Sequence, residues 1–126
     1  ASADSTAGEG DYFASSRLTR TQARDEAVST LKELSESDTA DQSAKDDAAA
    51  QISALADDTV AEANIESLIR AKGYEDAVVM LGDSSANIVV APPDGGLQAE
   101  DVAVIRDIVI SETGMTAGQI KIVEAS

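Results

Sequence analysis

Apolar residues recur along this chain with two periods, and the change from one to the other divides it. Ala23, Ala27, Val28, Leu31 and Leu34 return at helical spacing, and Thr19 or Thr21 is placed to cap a helix beginning near Gln22. The stretch Ser35 to Thr39 breaks that pattern. Asp41 or Ser43 then caps a second helix that runs through Ala48, Ile52, Leu55 and Ala56. Its stripe of Ile52, Leu55, Thr59 and Ala63 is narrow and offers little to bury. Beyond Glu62 the stripe moves to Ile65, Leu68 and Ile69, so either the helix bends at Asn64 or Asn64 caps a fresh one. Gly73 supplies a left-handed cap, and Arg70 and Lys72 stand at the negative end of the helix dipole.

The strand signals follow. Ala77 to Leu81 is β-branched and apolar on both faces, which reads as a central strand. Gly82 to Ser85 is a turn of hairpin length, and Asn87 to Ala91 is the returning strand. Pro92 to Gly96 forms a loop. Val102, Ile105, Ile108 and Val109 share one face of a helix over residues 98–112, which Gly114 ends. Ile120 to Val123 alternates and reads as an edge strand. The fold class is therefore α+β: a two-layer sandwich in αββαβ order, its three-stranded sheet covered on one face by two helices, behind a helical N-terminal extension. The other face of the sheet is left to solvent or a neighbour. In domain terms, residues 1–20 are a flexible lead-in, residues 21–62 the helical extension, and residues 63–126 the αββαβ unit.

Composition sharpens this division. Of 26 Ile, Leu and Val residues, nineteen lie beyond residue 62, so the core belongs to the second half. The net charge of −15, from nine basic and 24 acidic residues, leaves no basic face for nucleic acid and would be repelled by an anionic membrane. It also opposes close approach of identical copies, so the isolated chain is expected to be monomeric or weakly self-associating. There is no Cys, hence no disulfide. The longest apolar run, Ala77 to Leu81, is far short of a membrane span.

Candidate chemistry is thin. Without His or Cys the usual general base and thiol nucleophile are missing, and no Ser stands in a nucleophile turn. The carboxylate pairs are Asp46-Asp47, Asp57-Asp58 and Glu75-Asp76; the first two lie on helices, where adjacent side chains diverge by about 100°, and read as solvated surface. Asp83, Ser84, Ser85 and Asn87 offer oxygens but lack the alternating acidic loop and closing Glu of a calcium site. Gly95-Gly96 lacks the residues that would make it a phosphate loop. The helix–strand order invites comparison with a K-homology domain, but the basic Gly-x-x-Gly loop is absent. No catalytic residue, metal or cofactor is expected, and the function class is structural or interaction protein.

One segment is more specific. Asn64-Ile65-Glu66-Ser67-Leu68-Ile69-Arg70-Ala71-Lys72-Gly73 followed by Tyr74-Glu75-Asp76-Ala77-Val78-Val79 resembles a stretch typical of the stage III sporulation protein AH family, with Arg70 for Lys and Tyr74 for Phe. Arg24 to Ala27 resembles that family's first helix, and Asp107 to Val109, Ser111 to Gly114 and Ile120 to Ile122 resemble its last helix and strand. The family enters its last helix through a Leu-Thr-x-Glu-Gln type cap, whereas Leu97 here precedes Gln98-Ala99-Glu100, and Pro92 to Gly96 is a longer or stiffer loop.

The resemblance implies a ring-building fold similar to subunits of flagellar basal bodies and type III secretion rings. It implies an N-terminal transmembrane anchor lying upstream of this chain and a location between mother-cell and forespore membranes. It further implies a stage II sporulation protein Q-like partner from the opposite membrane and a share in a channel-like complex. A small monomeric adaptor that binds one soluble protein is the alternative. For self-association into a ring, the expected contact joins the helix end at Arg70, Lys72 and Tyr74 of one copy to the sheet region of the next, at Ile120, Lys121, Ile122 and Val123.

Overall fold

The computed structural model describes residues 2–82 and 84–125, with side chains from Tyr12 onward. Two long helices, α1 (Ser2–Ser35) and α2 (Gln42–Ala71), pack against each other. Strands β1 (Ala77–Leu81) and β2 (Ala86–Val90), helix α3 (Ala99–Thr113), a short 3₁₀ turn (Ala117–Gln119) and β3 (Ile120–Glu124) follow. The expected α+β architecture and its αββαβ order are present.

The sheet runs β1-β2-β3, with β2 antiparallel to β1 and parallel to β3. In register, Ala77, Val79 and Leu81 stand opposite Val90, Ile88 and Ala86, while Ile120 and Ile122 stand opposite Ala86 and Ile88. These side chains make the inner face. Onto it α2 brings Ile65 and Ile69, and α3 brings Ile105 and Val109, all fully buried.

Three expectations are corrected. The helix expected to begin near Gln22 extends back to Ser2, through the stretch read as a lead-in. Its inward stripe is Phe13, Arg17, Arg20 and Arg24, helically spaced but mostly charged, so an apolar pattern does not reveal it. There is no new helix start at Asn64, because α2 continues from Gln42 to Ala71. The stripe changes face there because Leu55 lines a groove beside α1, whereas Ile65 and Ile69 meet the sheet. Strand β1 is an edge strand, not the central one. It is apolar on both faces because Val78 joins Val89, Ala91 and Ala125 on the outer face, beneath Phe13 of α1. That outer face is thus closed at one end, while Asn87, Lys121 and Val123 leave the other end exposed.

The turn expected at Gly82 to Ser85 is closed by the Gly82 N–H on the Ser85 carbonyl at 2.8 Å; Asp83, part of that turn and of the calcium candidate, lies outside the described residues. Helix α3 is held at its start by Asp101, which accepts from the Gln98 N–H at 2.8 Å and from the Tyr74 hydroxyl at 2.6 Å. It ends on Gly114 at φ 74°, a conformation that costs a residue with a Cβ.

Burial, together with the hydrogen bond to Asp101, pushes the Tyr74 phenol up to about 12. Tyr74→Phe should lower stability by about 0.5–1.5 kcal/mol, the net value of one such bond, in denaturant unfolding. The high-pH phase of the phenolate absorbance titration should vanish with it.

Candidate interaction site

An edge strand presents unpaired N–H and C=O groups, and β1 presents them on the odd residues Ala77, Val79 and Leu81. The even ones face β2, as the bond from Ala91 N–H to the Asp76 carbonyl shows. Two glutamates of α2 meet this edge. Glu66 accepts from the Val79 N–H at 2.9 Å, and Glu62 accepts from the Leu81 N–H at 2.8 Å. Asp76 accepts from the Ala77 N–H at 2.8 Å. The carbonyls are met from α1: Arg17 donates to Ala77 O and Arg20 donates to Val79 O, each at 2.5 Å. Side chains thus stand in for the absent neighbouring strand.

The same groups neutralise one another. Glu62 and Glu66 are 1 % and 3 % exposed, which as lone anions would be prohibitive. Arg20 lies 2.6 Å from Glu66 and 3.5 Å from Glu62; Arg24 donates to both Glu62 oxygens, and Arg17 binds Asp76 in a fork. No buried side-chain N or O among the described residues lacks a partner. Burial pushes the Asp76 carboxyl up, but the bonds from Arg17 and the Ala77 N–H outweigh it and hold the group below its ordinary value. The Arg17 guanidinium is raised in turn, chiefly by its bond to Asp76.

Strand β3 is the opposite case. The Ala125 N–H donates to the Val90 carbonyl, so Lys121 and Val123 turn their amides towards β2 while Ile120, Ile122 and Glu124 turn theirs outward. No side chain among the described residues bonds to that outer edge. This edge is open.

The residues singled out from the sequence fall on two separate surfaces. At the end of α2, Arg70 reaches back to the Glu66 carbonyl at 3.4 Å, Lys72 is exposed, and Tyr74 is tied to Asp101. On β3, Ile120 and Ile122 pack half-buried on the core, while Lys121 and Val123 stand exposed on the outer face. Lys72 borders a shallow groove of about 350 Å³ between α2 and α3, where Leu68 and Val104 lie exposed beside Asp107 and Glu112.

Sequence reasoning missed Arg17, Arg20, Arg24, Glu62 and Glu66. Their signal was present: three arginines at helical spacing, and Glu66 lying between the inward Ile65 and Ile69. A groove of about 620 Å³ beside α1, between Tyr12, Ala23, Leu55 and Met80, brings no catalytic set together, because its Arg20 and Arg24 are turned to the glutamates. Among the described residues no group of three potential metal ligands occurs, and no helix is long and apolar enough to cross a membrane.

The family model described as SpoIIIAH-like protein matches residues 1–122. Among solved structures, the chain is similar to one from the SpoIIQ–SpoIIIAH pore-forming complex, with 27% identity and a TM-score of 0.80, covering 91% of this chain and 98% of that one. It is also similar in fold to EscJ, a type III secretion system protein of enteropathogenic E. coli, with 24% identity and a TM-score of 0.53. That match covers 60% of this chain, which spans about half of EscJ, 51%. A search of the curated proteins finds no match.

Removing one member of the ladder should cost more than any surface change. Glu66→Ala strands the Val79 N–H and leaves Arg20 short of its closest anion, so a loss of about 3–5 kcal/mol is expected in denaturant unfolding. Glu66→Gln, which keeps an acceptor for the Val79 N–H, should lose less. Asp76, with its folded value depressed, contributes stability that is complete above the unfolded carboxylate value of about 4 and is lost as pH falls below it. Acid-unfolding curves should therefore be flatter for Asp76→Asn than for the parent over that window.

Proposed function

The chain belongs to the SpoIIIAH-like protein family, and on that premise we propose that it is the extracytoplasmic part of a membrane-anchored sporulation protein. Its role is structural, as an interaction protein. We place it in the space between mother-cell and forespore membranes, in a channel-like complex with a SpoIIQ-like partner. The observation that carries this reading is the likeness over 91% of the chain to a component of the SpoIIQ–SpoIIIAH complex. Self-association into a ring is part of the same reading.

For contacts between copies we propose the two surfaces already separated by the fold. One is the α2 end with Arg70, Lys72 and Tyr74, continuing into the Leu68 and Val104 groove. The other is the β3 region, Ile120 to Val123. Their chemistry is complementary: exposed Val123 suits the exposed Leu68 and Val104 of the groove, and Lys121 suits its Asp107 and Glu112. Two different patches on one chain make a head-to-tail contact, which closes into a ring when the rotation allows.

A charge swap tests this in the membrane-anchored protein. Lys121→Glu should weaken assembly about tenfold or more, as should Asp107→Lys with Glu112→Lys, and the triple variant should recover. Assembly by all variants at the parental level would place the contact elsewhere. Separately, failure of the anchored parent to co-purify with the SpoIIQ-like protein of its own host would count against the partner.

A further inference from the structure

We propose that the arginines of α1 guard a latent self-association edge, and that the segment they exclude is β3 of a second copy. This goes beyond the assembly role above and stands without it. The two sheet edges of this chain are treated unequally. On β1, three N–H groups and two carbonyls all end on side chains, whereas on the outer edge of β3 only the Ile120 N–H is taken, by the Ala117 carbonyl, and no side chain among the described residues bonds to it. Both strands are five residues long, so β3 of one copy matches β1 of the next in length. Such pairing joins two different edges, so every added copy would offer a fresh β3, and the sheet would extend without closing.

What prevents it is α1. Its contact with the edge rests on Phe13, which covers Val78, and on Arg17 and Arg20, which serve both the carboxylates and the β1 carbonyls. Take the guanidiniums of Arg17, Arg20 and Arg24 away, and Glu62 and Glu66 become buried anions short of counter-charge. Swinging out to water relieves them but abandons the Val79 and Leu81 amides. The guard therefore opens as a unit, because the groups that cap the donors depend on the groups that cap the acceptors.

The test compares the parent with Arg17→Gln/Arg20→Gln/Arg24→Gln, which also strips Glu62 of Arg24, by sedimentation at micromolar protein, in enough salt to screen the net charge of −15. The variant should show a severalfold rise in mean mass, and adding Glu124→Pro should return it to the parental mass. That proline sits at the outward end of an edge strand, where the ring removes one outward donor and blocks a neighbour. A variant of parental mass would overturn the proposal, and so would association that Glu124→Pro leaves unchanged. Circular dichroism checks that the variant folds. If it does not, the unsubstituted chain decides: a synthetic peptide of residues 117–126 should leave its Val79 and Leu81 amide resonances unmoved, and specific shifts there would show that the edge is not guarded.

Discussion

The structure depends on a coincidence of two repeats. On a helix, residues four apart are separated by about 6 Å along the axis. On a strand, residues two apart are separated by about 6.7 Å. Glu62 and Glu66 on α2 are four apart, and the amides of Leu81 and Val79 on β1 are two apart, so the two sets meet one to one. Strand and helix must then run antiparallel along the contact, with the earlier glutamate on the later amide, as they do. That single match fixes how α2 lies along the sheet edge, and with it how Ile65 and Ile69 enter the core.

Carboxylates used this way bring a second requirement. Two carboxylates at 1 % and 3 % exposure need counter-charge at close range, because a buried charge without a partner is strongly destabilising. The arginines of α1 supply it, and their forked heads also reach the strand carbonyls that the glutamates cannot serve. Lysine, with one compact ammonium, could not bind carboxylate and carbonyl in the same geometry. The long N-terminal helix is thereby held to a small domain by a polar contact, with Phe13 as its one buried aromatic anchor.

This explains what was legible in the sequence and what was not. The strands, α3 and the Gly73 and Gly114 stops were legible because apolar period and glycine position report burial and handedness directly. The start of α1 was not, since its inward stripe is charged and a scan for apolar periodicity passes over it. The place of β1 in the sheet was misread for a related reason. A strand apolar on both faces is ordinarily central, but here its second face is covered by Phe13 and its edge by side chains, so burial no longer implies a strand on either side. Of the candidate interaction residues, Lys121 and Val123 were legible as outward positions of an alternating strand. The groove of Leu68 and Val104 was not, because it forms only when α2 and α3 lie side by side.

An open sheet has two edges, and a protein that assembles in a defined geometry must deny at least one of them to its own copies. With both edges open, pairing between β3 and β1 would compete with any contact made through faces, and it would win by backbone bonds that are indifferent to side chains. Closing β1 with side chains removes that competitor while leaving β3 available. In the proposed assembly, contacts are then made through surfaces whose identity lies in their residues, Lys121 and Val123 on one side and the α2–α3 groove on the other. Specificity in that proposed assembly therefore begins with a buried ladder of charge that meets the proposed contact surfaces at Arg70, through Glu66.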